Sequence, residues 1–72
     1  MRIEITKGLV LSAYSTTRDT LAEMLFPAGE YLATLTPEGQ IEILNSSAGK
    51  AQFSFSQFRE KLSLGEFVLL EA

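Results

Sequence analysis

Turn-forming residues cut this chain into short pieces, and that limits what it can fold into. Pro27-Ala28-Gly29-Glu30, then Thr36-Pro37-Glu38-Gly39-Gln40, then the polar stretch 45–50 ending in Gly49-Lys50 follow one another in quick succession. Proline presets φ at one corner of a turn, and glycine supplies a positive φ at the next. The apolar runs left between these breaks have the length of β-strands, which usually span about five or six residues, and are too short for a stable lone helix.

Alternation fills in the pieces. Ile3 and Ile5 alternate with Arg2, Glu4 and Thr6, as in a half-buried strand. Lys7-Gly8 interrupts, and residues 9–14 continue as a second strand segment after a bulge or bend at Gly8. Residues 15–20 are polar and read as a loop. Residues 20–26 fit two patterns. Leu21, Met24 and Leu25 have helical spacing, whereas Ala22, Met24 and Phe26 alternate. Pro27 bars the α region at Phe26, which favours an extended segment. Residues 30–44 read as a β-hairpin and 51–55 as a further strand. Ser54 with Gln57 matches a capping box, and Phe58 and Leu62 lie one helical turn apart. A short helical or 3₁₀ turn is therefore expected near residues 56–62, stopped by Gly65. The fully apolar run 67–70 should pair with the first strand, since it would otherwise form a bare edge.

Composition narrows the function. The 72 residues make one domain, 1–72, with a thin core. There is no cysteine and no histidine, so disulfides, thiolate metal sites and the usual nucleophile–base pairs are missing. No metal, cofactor or catalytic residue is expected. Glu38 and Glu42 read as solvated carboxylates flanking a turn. A net charge of −3 argues against a nucleic-acid backbone as the main ligand. Neither a signal-peptide-like apolar run nor a membrane-length one occurs, which points to a cytoplasmic chain.

The order of these pieces resembles the SH3-like barrel over roughly residues 9–62. Leu9 to Tyr14 is similar to that family's opening strand, and residues 15–20 to its first long loop. Leu25-Phe26-Pro27-Ala28-Gly29-Glu30-Tyr31-Leu32 is similar to the segment ending that loop. Phe53 to Phe58 is similar to the closing strand with its 3₁₀ turn. The resemblance implies a mainly β barrel of five to six short strands, with residues 1–8 and 63–72 as an added strand pair. Polyproline recognition does not carry over, because that groove needs tryptophan and stacked tyrosines. This chain has no tryptophan and only Tyr14 and Tyr31.

A scaffold of this kind presents loops and edges, so non-enzymatic protein binding is the leading expectation. The surface assigned to it is the 15–20 loop and the 45–50 turn, with Tyr14, Arg18, Asp19, Asn45 and Lys50. Small stand-alone chains of this type resemble phage and mobile-element accessory proteins that sit on a host protein. A second reading is a nucleic-acid-associated barrel. Phe53 and Phe55 on one strand face would stack bases beside Lys50, Arg59 and Lys61, the chain's one cationic cluster. A third is a structural or assembly subunit, since a thin core and an apolar last strand favour a homo-oligomer.

Overall fold

The computed structural model describes residues 1–15, 17–45 and 49–71. Seven strands and one helix follow in order: β1 (Arg2–Ile5), β2 (Leu9–Ser15), β3 (Thr20–Phe26), β4 (Gly29–Leu35), β5 (Ile41–Asn45), β6 (Gly49–Phe53), α1 (Phe55–Ser63) and β7 (Phe67–Glu71). They form one sheet in the order β3-β2-β6-β5-β4-β1-β7, antiparallel throughout, curled into a half-barrel. No helix among the described residues is long and apolar enough to cross a membrane.

Among the described residues the strand count is seven, not five to six. The break at Gly8 separates β1 from β2, and the ambiguous stretch 20–26 is a full strand. It pairs with β2 from Leu9↔Phe26 to Ser15↔Thr20 without interruption. The described part of the stretch expected as a long loop, residues 17–19 between Ser15 and Thr20, is consequently the tip of a tight hairpin. Asp19 N–H donates to the Ser15 carbonyl at 2.9 Å, and Arg18 N–H donates to Ser15 Oγ at 3.2 Å. Asp19 takes φ 56°, a left-handed conformation that a short polar side chain tolerates better than most.

The other turns follow their chemistry in different ways. At 36–40, Gly39 N–H donates to the Thr36 carbonyl at 3.0 Å, and Gly39 takes φ 83°. Thr36 N–H donates to the Gln40 carbonyl at 2.7 Å, which closes a three-residue loop with a glycine bulge between β4 and β5. Pro27-Ala28 instead makes a corner between strands that are not neighbours in the sheet. Gly29 has φ 145° there, not the value near +80° of a type II turn. The middle of the expected 45–50 turn, residues 46–48, lies outside the described residues.

The short helix forms where the capping box puts it. Gln57 N–H donates to Ser54 Oγ at 3.1 Å, and Ser54 N–H donates to Gln57 Oε1 at 2.9 Å. It ends in a Schellman motif, with Gly65 N–H on the Leu62 carbonyl and Glu66 N–H on the Lys61 carbonyl, both at 3.1 Å. Gly65 takes φ 76°. An apolar contact often pins this motif. Here an ion pair of 2.9 Å between Lys61 Nζ and Glu66 Oε1 holds the same two positions.

Inside the curl, small and large side chains stand side by side. Ala13, Ala33 and Ala51 are buried in the middle of the sheet, and a Cβ on Gly49 would run into the end of the Met24 side chain. Small residues on the concave face let the strands bend round a narrow interior. Ile43 stands between Ala33 and Ala51 in the register, and Ile3, Ile5, Ile41 and Phe26, with Phe53, Phe58 and Phe67 near the helix, complete the core. The Phe67 ring meets Phe53 edge-on at 5.6 Å and Phe58 at 5.7 Å.

Candidate protein-binding surface

A strand with one face on the core turns its alternate residues outward, where polar side chains are the rule. The β2–β3 hairpin departs from that rule. Its outward pairs are Val10↔Leu25, Ser12↔Glu23 and Tyr14↔Leu21. Val10, Leu21 and Leu25 are well exposed, Leu21 at 72%, and Tyr14 at 38%. Proteins seldom leave so many large apolar side chains together on one face without use for them.

Beside this face the sheet opens. Among the described residues the β2–β6 ladder has two pairs, Tyr14↔Lys50 and Ser15↔Gly49. Past them the strands diverge, and a groove of about 630 Å³ lies between Ser12, Tyr14 and Leu21 on one side and Glu42, Lys50 and Gln52 on the other. Gln52 Nε2 donates to Glu42 Oε2 at 3.1 Å, which makes that wall polar and fixed. Lys50 stands opposite Tyr14 with no ion pair among the described residues. The groove thus has an apolar wall, a polar wall and, in Lys50, a cation with no ion pair among the described residues.

The residues expected at a partner surface divide. Tyr14 and Lys50 come together in the groove. Arg18 and Asp19 lie exposed on the hairpin tip, at one end of the same hairpin. Asn45 does not join them. It faces inward at 7% exposure, and its Nδ2 donates to the Leu25 carbonyl at 2.9 Å. That bond ties β5 to β3 across two intervening strands.

The residues of the nucleic-acid reading are scattered. Phe53 and Phe55 do not share a strand face, because β6 stops at Phe53 and the helix begins after Ser54. Phe53 is buried against Phe67, whereas Phe55 is exposed on the first turn of α1. Lys61 is held by Glu66, Arg59 is exposed on the helix, and Lys50 belongs to the groove.

A smaller hollow of about 360 Å³ lies at the corner after β3, beside Tyr31, Leu32 and Leu44. Tyr31 Oη donates to the Pro27 carbonyl at 2.6 Å, and burial raises its phenol above the ordinary value of 10. Sequence reasoning missed Val10, Leu21 and Leu25 as surface groups, since outward leucines look like core until the register is known. The available signal was the alternation of 20–26 matched against 9–15. Comparison with known proteins finds no matching family model, no similar curated protein and no similar solved structure.

Proposed function

We propose that this chain is a non-enzymatic protein-binding module with an SH3-like barrel, and that it takes its partner on the outer face of the β2–β3 hairpin. One observation carries the reading: Val10, Tyr14, Leu21 and Leu25 crowd a single exposed face beside Lys50, which has no ion pair among the described residues. An apolar centre with aromatic content and a polar rim is the composition of a protein interface. The SH3-like reading draws support from the run of short antiparallel strands with a short helix before the last one. We take the biological setting to be that of a phage or mobile-element accessory protein occupying a host protein. The nucleic-acid reading lacks equivalent support, because its aromatic and basic groups do not share a surface.

The test is affinity capture from host lysate with wild-type chain, Leu21→Lys and Tyr14→Ala. A protein enriched by wild type and lost with both variants is the expected result. Equal recovery by all three would remove the hairpin face as the binding surface.

A further inference from the structure

The outward residues line up across the sheet as well as along each strand. Leu21 stands opposite Tyr14, Tyr14 opposite Lys50, and Lys50 opposite Leu44. The Ala33↔Ile43 pair sets Leu44 beside Leu32, and both line the hollow at the Pro27 corner. Leu32 in turn stands opposite Arg2. One row thus crosses β3, β2, β6, β5 and β4 on the outer face. Its leucines are exposed, Leu32 and Leu44 as well as Leu21. Lys50 does not interrupt it, because the aliphatic stem of a lysine covers apolar neighbours while the ammonium stays in water.

Charge gathers round this row. Two places along the strands, Glu23 and Glu42 border it on one side and Glu30 on the other, where Glu30 pairs with Glu4. The outer face holds Glu4, Glu23, Glu30, Glu42 and Glu71 with Arg2 and Lys50, five acids against two bases. The remaining four acids and four bases, in the turns, the hairpin tip and the helix segment, cancel. The whole net charge of −3 therefore lies on the face that bears the apolar row. Arg2 is engaged by Glu30 at 3.0 Å and Glu71 at 3.7 Å, whereas Glu4, Glu23 and Glu42 have no ion pair among the described residues.

We propose that the partner of the hairpin face presents a basic segment, with lysines or arginines among large apolar side chains, and that this segment follows the row from Leu21 to Leu32. The inference rests on protein binding at the hairpin face and adds the partner's charge and its path. Apolar side chains of the partner cover Leu21, Tyr14, Leu44 and Leu32, and its cations meet the acids on both borders. An acidic segment would meet like charge there.

The probe is a fluorescent peptide of about 14 residues, with leucine at every third position and lysine elsewhere. That length spans five strands spaced about 4.8 Å apart, whether the peptide is helical or extended. By anisotropy it should bind the full chain at least about tenfold more tightly than the same peptide with glutamate for lysine or serine for leucine. Leu21→Thr and Leu32→Thr should each weaken binding about tenfold with little change in urea midpoint, since both side chains are exposed. Glu23→Gln and Glu42→Gln together should weaken it about two- to fivefold, a difference that high salt removes. Leu64→Thr, at an exposed leucine beyond the helix, should change nothing. Equal binding of the glutamate or the serine peptide would overturn the proposal. Loss with Leu21→Thr but not with Leu32→Thr would overturn the path across the sheet and leave the hairpin reading standing. Loss with neither would remove both.

Discussion

Both terminal strands of the sheet are rich in apolar residues, yet they are treated differently. Strand β3 is fastened along its length. It pairs with β2 over seven residues, Asn45 grips its Leu25 carbonyl, and Tyr31 holds the Pro27 carbonyl just beyond it, its ring 5.9 Å from Phe26. Glu23 puts a charge at the centre of its outer face. Strand β7 is fastened at its start. Thr6 Oγ1 donates to the Gly65 carbonyl at 2.8 Å, Thr6 N–H donates to the Glu66 carbonyl at 3.0 Å, and Phe67 is packed between Phe53 and Phe58. Beyond Phe67 it has the β1 ladder and an exposed apolar surface. The contrast teaches that apolar content alone does not decide what an edge does. Strand β3, held by side-chain bonds from elsewhere in the chain, turns an apolar face outward, whereas β7 is held by Phe67 at its start, by the β1 ladder along it and by the Arg2–Glu71 ion pair of 3.7 Å at its end, with Leu70 left out of the register.

The comparison is most easily broken at Phe67. Phe67→Ala should cost about 3 to 5 kcal/mol by emptying the ring cluster that anchors β7. For a chain this size that approaches the whole stability, and urea titration followed by circular dichroism measures it. Asn45→Ala comes next. It leaves the Leu25 carbonyl without its side-chain donor in a half-buried place and should cost about 1 to 3 kcal/mol by the same titration. A loss below a few tenths would show that β3 is held by its ladder alone. Tyr31→Phe removes one hydrogen bond and should cost about 1 kcal/mol near neutral pH. It also has a pH signature. The folded-state phenol is raised, so the folded chain keeps its proton where the unfolded chain releases it. Stability from Tyr31 is therefore full below pH 10 and declines as pH rises past that value, and Tyr31→Phe should lose this alkaline component. Smallest is Leu21→Ala, which should change stability by no more than about 0.5 kcal/mol because the side chain is exposed. It should nonetheless abolish capture of a partner on the hairpin face.

Much of this arrangement was legible in the residues. The strands around Ile3 and Ile5, the hairpin over 30–44, the capping box at Ser54 and Gln57 and the stop at Gly65 all depend on local chemistry within a few positions. The pairing of 67–70 with the first strand followed from the need to cover an apolar run, and the structure covers one edge of it. What depends on partners far along the chain was not legible. The stretch 15–20 is polar whether it is a loop or a hairpin tip, and only the match of 20–26 to 9–15 decides between them. Asn45 looks like a turn residue by sequence, and its inward position follows from strand alternation meeting a carbonyl 20 positions away. Phe53 and Phe55 seemed to share a face because the helix start after Ser54 changes the period from two to 3.6 between them.

The two-rung junction between β2 and β6 has a consequence for motion. The hairpin from Leu9 to Phe26 is zipped over seven pairs within itself, but among the described residues it is joined to β6 by two, with the Asn45 bond to the Leu25 carbonyl as a further tie. Opening there breaks those rungs and the Asn45 bond, fewer ties than hold β5 between β4 and β6. Amides of Tyr14, Ser15 and Lys50 should exchange with deuterium through this partial opening, ahead of those in β5, which is paired on both sides. A hinge so placed would let the leucine-bearing face adjust its angle to whatever it meets while the rest of the sheet keeps its shape.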